Sequence, residues 1–202
     1  MKKISLKNIP IKVSQLGLGC AQYGEKLNFS KALKCLDFSF SNGINYFDTA
    51  PLYGLGYSEE ILGKFSKNKR DKIVLTTKFG LEPPKYAILK NKIKPLGKYF
   101  LNKIPKLKPN PNSILHKQFQ HRHSGYSVEN ARKSIERSLK RLKTDYIDIL
   151  LLHSYQSYDL DYELIQFLES LIKEGKILSY GIDTTNQYVE NLSTKAENNF
   201  NI

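Results

Sequence analysis

The sequence predicts an α/β fold, a parallel sheet covered by helices. Short segments that are β-branched or continuously apolar alternate with longer stretches of helical period. Four of these strand-like segments are INYFD at 44–48, KIVLTTK at 72–78, YIDILLLH at 146–153 and KILSYGI at 176–182. Two of their three spacings are about 30 residues, the length of one βαβ unit.

The opening KKISLKNIPIKVS alternates apolar and polar residues around Asn8-Ile9-Pro10, which reads as a short hairpin. QLGLGC at 15–20 is a short strand rich in glycine. Ser30 is the expected cap of a helix through KALKCLDFSFSN, with Ala32, Leu33, Leu36 and Phe40 on one face and Gly43 at its end. After INYFD, Ser58 is the expected cap of SEEILGKF, whose Glu59 and Glu60 suit the positive end of the helix dipole. Ser127 caps a long helix, VENARKSIERSLKRLK, with Ile135, Leu139 and Leu142 spaced for burial. YELIQFLESLIKEG is a helix closed by Gly175, and NQYVENLSTKAEN reads as a last one before NNFNI. The count is about five βα units after an N-terminal β-hairpin.

The chain of 202 residues suits one domain, taken here as 1–202. No apolar run exceeds four residues, which excludes a membrane-spanning helix, and MKKISLKNIP lacks the apolar core of a signal peptide. Cys20 and Cys35 have no metal-ligand spacing and fit a reducing, cytoplasmic setting. The net charge of +13 is uneven: residues 81–124 hold nine lysines, Arg122 and a single acid, Glu82. That basic segment fills the one long strand-to-strand interval, so it reads as an insertion in a strand-to-helix loop.

Ionisable residues stand at the ends of the strands. Asp48 ends INYFD, Lys78 ends KIVLTTK, His153 ends YIDILLLH and Asp183 follows SYGI. Ligands of parallel α/β folds bind at the carboxyl ends of strands, so four such groups are expected to converge on one site. For any one of them the plain alternative is a loop charge that happens to follow a strand.

LGLGC-x-x-x-G, GINYFDTAPLYG, SEEILGK, VLTTKFG, SLKRLKTDYIDILLLH and EGKI-x-x-x-GI resemble the aldo-keto reductases, in that family's order, over about residues 12–80 and 125–185. The resemblance implies a (β/α)8 TIM barrel, here a partial one, and NADP(H)-dependent reduction of a small carbonyl compound, an aldehyde or ketone, to an alcohol. It implies catalytic roles for Asp48, Tyr53, Lys78 and His153. Tyr53 would give a proton to the carbonyl oxygen as hydride arrives. Lys78 would lower its pKa from about 10. Asp48 would hold Lys78, and His153 would orient the substrate oxygen. For the cofactor it implies contacts from Gly19, Cys20, Asp48, Asp183 and Thr184.

The chain departs from the family in two respects. A complete barrel typically takes about 250 residues, so the domain is expected to be incomplete at its C-terminus, without the later strands and loops that hold the cofactor's phosphates. GIDTTN also places Asp183 and Thr184 where most of the family has serine, often followed by asparagine. An open sheet would leave 177–182 as an exposed edge and the inner face uncovered, inviting a second chain to complete the barrel.

Within the insertion, apolar Ile88, Leu89, Ile93, Leu96, Phe100 and Ile104 recur at near-helical spacing among the lysines of 85–108. The first reading is a flap over the site; contact with an anionic substrate or membrane surface comes second, and nucleic acid last. His116, His121 and His123 lack a fourth predictable ligand, so no metal is assigned. The functional rival to the reductase is a non-catalytic barrel fragment that binds a partner chain or an anionic surface.

Overall fold

A computed structural model describes residues 1–83, 122, 123, 125–155, 161–184 and 189. Two short strands come first, β1 (Lys3–Ile4) and β2 (Val13–Ser14), paired antiparallel as the expected hairpin. Then follow β3 (Gly17–Gly19), α1 (Phe29–Ser41), β4 (Tyr46–Asp48), α2 (Tyr57–Ser66), β5 (Val74–Phe79), β6 (Leu81–Glu82) and β7 (Arg122–His123). The chain continues through α3 (Val128–Leu142), β8 (Ile147–His153), α4 (Tyr162–Lys173) and β9 (Ile177–Asp183).

Strands β3, β4, β5, β8 and β9 form one sheet in that order, every pair parallel. Spatial order follows chain order without reversal, as in barrel winding; a doubly wound sheet would turn back on itself. Among the described residues β3 and β9 border this sheet. The sheet is buried because its strands carry large apolar side chains toward the helices. Phe47, Leu75, Leu150 and Leu152 are fully enclosed and pack in one cluster with Leu36 of α1, Ile61 and Leu62 of α2, Leu142 of α3 and Leu168 of α4. Each such side chain contributes about 1.5–3 kcal/mol.

The other face is not bare at its N-terminal end. The hairpin lays Ile9 and Val13 against Val74, with Tyr46, Ile149 and Leu178 around them. Asn45 fixes this plug, accepting from the Ser14 amide at 2.7 Å and donating to the Lys12 carbonyl at 2.9 Å. The expectation of an uncovered inner face is therefore corrected at its N-terminal end, where the hairpin docks, while toward the C-terminal ends Gly19 and Asp183 stay open.

Two caps differ from expectation. Asn28, not Ser30, caps α1, its Oδ1 accepting from the Lys31 amide at 3.0 Å. Ser58 lies inside α2, whose N-cap is Gly56 in the left-handed region. The Ser58 hydroxyl is fully buried and donates instead to the Cys20 carbonyl at 2.9 Å. Ser127 does cap α3, accepting from the Asn130 amide, and Asp161 caps α4.

β6 and β7 pair antiparallel beyond the end of β5, Leu81 with His123 and Glu82 with Arg122. Glu82 is docked on α3 through the Ser134 hydroxyl and the Arg137 guanidinium. Most of the basic segment, including the 85–108 amphipathic stretch, His116 and His121, lies outside the described residues, as do most of the expected last helix and NNFNI.

Candidate active site

Parallel pairing sets the strand ends in a stepped register, with Lys78 two positions further along than Asp48 and His153 two further than Lys78. Gly19 stands opposite Asp48, Asp48 opposite Thr76, Lys78 opposite Leu151, and His153 opposite Asp183. Successive residues of a strand face opposite sides, so these matched positions share the face away from the helices.

Lys78 is nearly enclosed at 4% exposure. Its ammonium donates to both oxygens of Asp48, at 2.6 and 2.7 Å, and to the Thr49 carbonyl at 3.2 Å. These oxygens fix Nζ at the floor of the site, within hydrogen-bonding reach of Tyr53 as well. Thr49 is itself held, its amide donating to the Thr76 carbonyl at 2.9 Å and its hydroxyl to Ser58 at 2.8 Å. Burial pushes the Asp48 carboxyl above its usual value while Lys78 pulls it down.

Tyr53 lies over this pair. Lys78 Nζ is 5.1 Å from the centre of its ring. Tyr53 opens a tight turn, Tyr53–Gly56, in which Gly54, Leu55 and Gly56 all adopt positive φ. Gly54 has no alternative there, because a Cβ would fall 2.3 Å from the Tyr23 carbonyl oxygen. His153, 6% exposed, meets the Tyr53 ring edge-on, centroids 5.7 Å apart at 87°. Its Nε2 lies 3.7 Å from Asp183 Oδ2. The structure thus brings Asp48, Tyr53, Lys78, His153 and Asp183 together.

One electrostatic expectation is corrected. Lys78 does pull the Tyr53 hydroxyl down, but burial outweighs it, and the carboxylates Asp48 and Asp183 add to the rise. The net direction is up, not down. A sequence shows which charge is near a phenol but not how much water the phenol has lost.

The residues named for a cofactor divide. Gly19 is exposed, and the position of a Cβ on it meets nothing within 4 Å, so a flat group has room beside it. Asp183 is half-open, with its side chain 37% exposed. Cys20 is fully buried in the apolar cluster, and burial pushes its thiol far up. The Thr184 hydroxyl is spent on the Tyr155 carbonyl at 2.5 Å. Among the described residues no group of three or more His, Cys, Asp or Glu side chains is placed to hold a metal, and no helix is long and apolar enough to cross a membrane.

Two supporting features escaped sequence reasoning. Glu59, read only as a dipole partner, is fully buried and binds Thr77 Oγ1 at 2.7 Å and Arg141 Nε at 2.5 Å. Tyr126 reaches the backbone of His153. Neither has a local signal, because each partner is distant in the chain.

The model of the Aldo/keto reductase family matches residues 15–200. The chain belongs to the aldo/keto reductase family. Among curated relatives of this reductase-family chain, the uncharacterized oxidoreductase YqkF of Bacillus subtilis is 34% identical over 91% of this chain and 49% of its own length. The D-threo-aldose 1-dehydrogenase of a Pseudomonas species is 32% identical over 84% of this chain and 50% of its own. The holo form of aldo-keto reductase AKR11C1 from Bacillus halodurans superposes with a TM-score of 0.73, at 30% identity, over 100% of this chain and 55% of that one. The chain thus spans about half the length of the relatives it matches.

Proposed function

We propose that this aldo/keto reductase chain contributes the catalytic side chains for NADP(H)-dependent interconversion of a small carbonyl compound and its alcohol. The observation that carries the reading is the juxtaposition of Tyr53 with both Lys78 and His153, 5.1 Å from the ammonium and 5.7 Å ring to ring.

A nicotinamide supplies hydride when bound. Gly19 leaves room for a flat ring, and the Asp183 carboxylate, which accepts but cannot donate, would take an amide N–H. The other steps fall to side chains. Tyr53 keeps its proton at neutral pH, as a phenol does even at its ordinary value; burial raises the hydroxyl further, so release of the proton depends on the opposing pull of Lys78. Tyr53 can thus give that proton to an oxygen on which negative charge develops. The Lys78 ammonium, held by Asp48, stabilises the phenolate that remains. His153 is placed to orient the same oxygen by hydrogen bonding. Positioned acid catalysis of this kind is typically worth about 10²–10⁴-fold.

Turnover of simple aldehydes with NADPH tests the reading. Tyr53→Phe should abolish it; a rate unchanged from the parent removes Tyr53 from the role. Cofactor titration by fluorescence separates the enzyme from a non-catalytic fragment: tight binding of NADPH by the chain favours the enzyme, and none up to millimolar concentration favours the fragment.

A further inference from the structure

Where the chain enters α3 it carries an aromatic residue to which the proposed reaction gives no part. The Tyr126 hydroxyl donates to the backbone carbonyl of His153 at 2.7 Å. Its ring stands edge-on to Tyr155, centroids 4.7 Å apart, and to Phe79 at 6.2 Å. Gly80 makes room for it: φ there is +107°, and a Cβ would fall 2.2 Å from Tyr126 Cε1. Tyr155 in turn ties to the end of β9, its amide donating to the Asp183 carbonyl at 2.9 Å and its own carbonyl accepting from Thr184. Tyr126 therefore touches the ends of β5 and β8 directly and that of β9 through one neighbour.

The backbone at this point is strained. Ser154, directly after His153, has φ +55°, the left-handed region that a residue with a Cβ adopts at a cost. The Tyr126 hydroxyl grips the carbonyl just before this turn. We propose that Tyr126 is a positioning residue, fixing the end of β8 so that the His153 imidazole keeps its edge-on contact with Tyr53. The proposal rests on the reading of His153 given above as the group that orients the substrate oxygen. Burial, with Tyr155 and Asp183 adding to it, pushes the Tyr126 hydroxyl up to about 12. It stays a donor across the working pH range and is not itself a ready acid.

Tyr126→Phe deletes the hydrogen bond and keeps the ring. It is expected to lower kcat about three- to tenfold, the range for one such bond, with the cofactor KM unchanged. It should also weaken the nuclear Overhauser effect between the Tyr53 and His153 rings. Gly80→Ala, which displaces the ring, should act at least as strongly, and adding Tyr126→Phe to it should cost little more because both act through one contact. A Tyr126→Phe protein with the parent's kcat and an undiminished ring-to-ring signal overturns the proposal, even if its Tm falls. If Tyr53→Phe keeps full turnover, it is the reading of the site that fails, and the Tyr53–His153 signal alone then decides the matter for Tyr126.

Discussion

At the scale of single residues, the site depends on a lysine taken out of water. Lys78 is tolerated there because both Asp48 oxygens and the Thr49 carbonyl replace its hydration. Removing one partner of a buried ion pair leaves the other charge uncompensated. Lys78→Met should therefore destabilise the fold by about 3 kcal/mol, read by urea denaturation, and abolish turnover as well. Asp48→Asn together with Lys78→Met should recover part of the stability and none of the activity. The types and positions of Asp48 and Lys78 were legible in the sequence, since each ends a strand-like segment. The direction of the Tyr53 shift was not, because it is set by burial, and burial is a property of the assembled fold.

At the scale of elements, local chemistry and tertiary packing compete for the same side chains. Ser127 is used as its position suggests, and Ser127→Ala should cost about 1 kcal/mol, measured as a shift in the denaturation midpoint. Ser30 and Ser58 look as suitable as caps, yet Asn28 takes the first role and burial takes Ser58 for the Cys20 carbonyl. Glu59 shows the same override. It sits in the first turn of α2, but its carboxylate is fully enclosed and joins α2 to α3 through Arg141 and to β5 through Thr77. Glu59→Gln should cost about 3–5 kcal/mol, since Arg141 then loses its countercharge in a partly buried place. The same interface explains Gly63, where a Cβ would meet the Arg141 carbonyl oxygen at 2.4 Å. Gly63→Ala should cost about 1–3 kcal/mol by overpacking, with α2 and α3 forced apart.

At the scale of the whole molecule, phenols wholly or partly withdrawn from water set the alkaline limit. The enclosed Tyr23 and the partly buried Tyr53, Tyr126, Tyr146 and Tyr180 are all held above their ordinary value, in each case chiefly by burial. The folded state therefore keeps protons that the unfolded state releases near pH 10. Their contribution to stability is fully present below that pH and is lost as pH rises toward the folded values. A scan of Tm against pH should be level through neutrality and fall steeply above about pH 10, with a shallower fall in Tyr126→Phe. A fall of equal slope would mean that the Tyr126 phenol loses its proton as readily in the folded state as in the unfolded one.

Sequence alone determined the class of fold, the order of the strands and which ionisable residues end them. These follow from hydrophobic period and from turn and capping chemistry, both of which act over a few residues. Only the tertiary structure decided how a staggered strand register gathers those residues into one site. The docking of the hairpin on Val74, the loss of water around Tyr53 and the grip of Tyr126 on His153 were settled there too. Each depends on residues far apart in the chain meeting at ångström distances, and no local pattern encodes that.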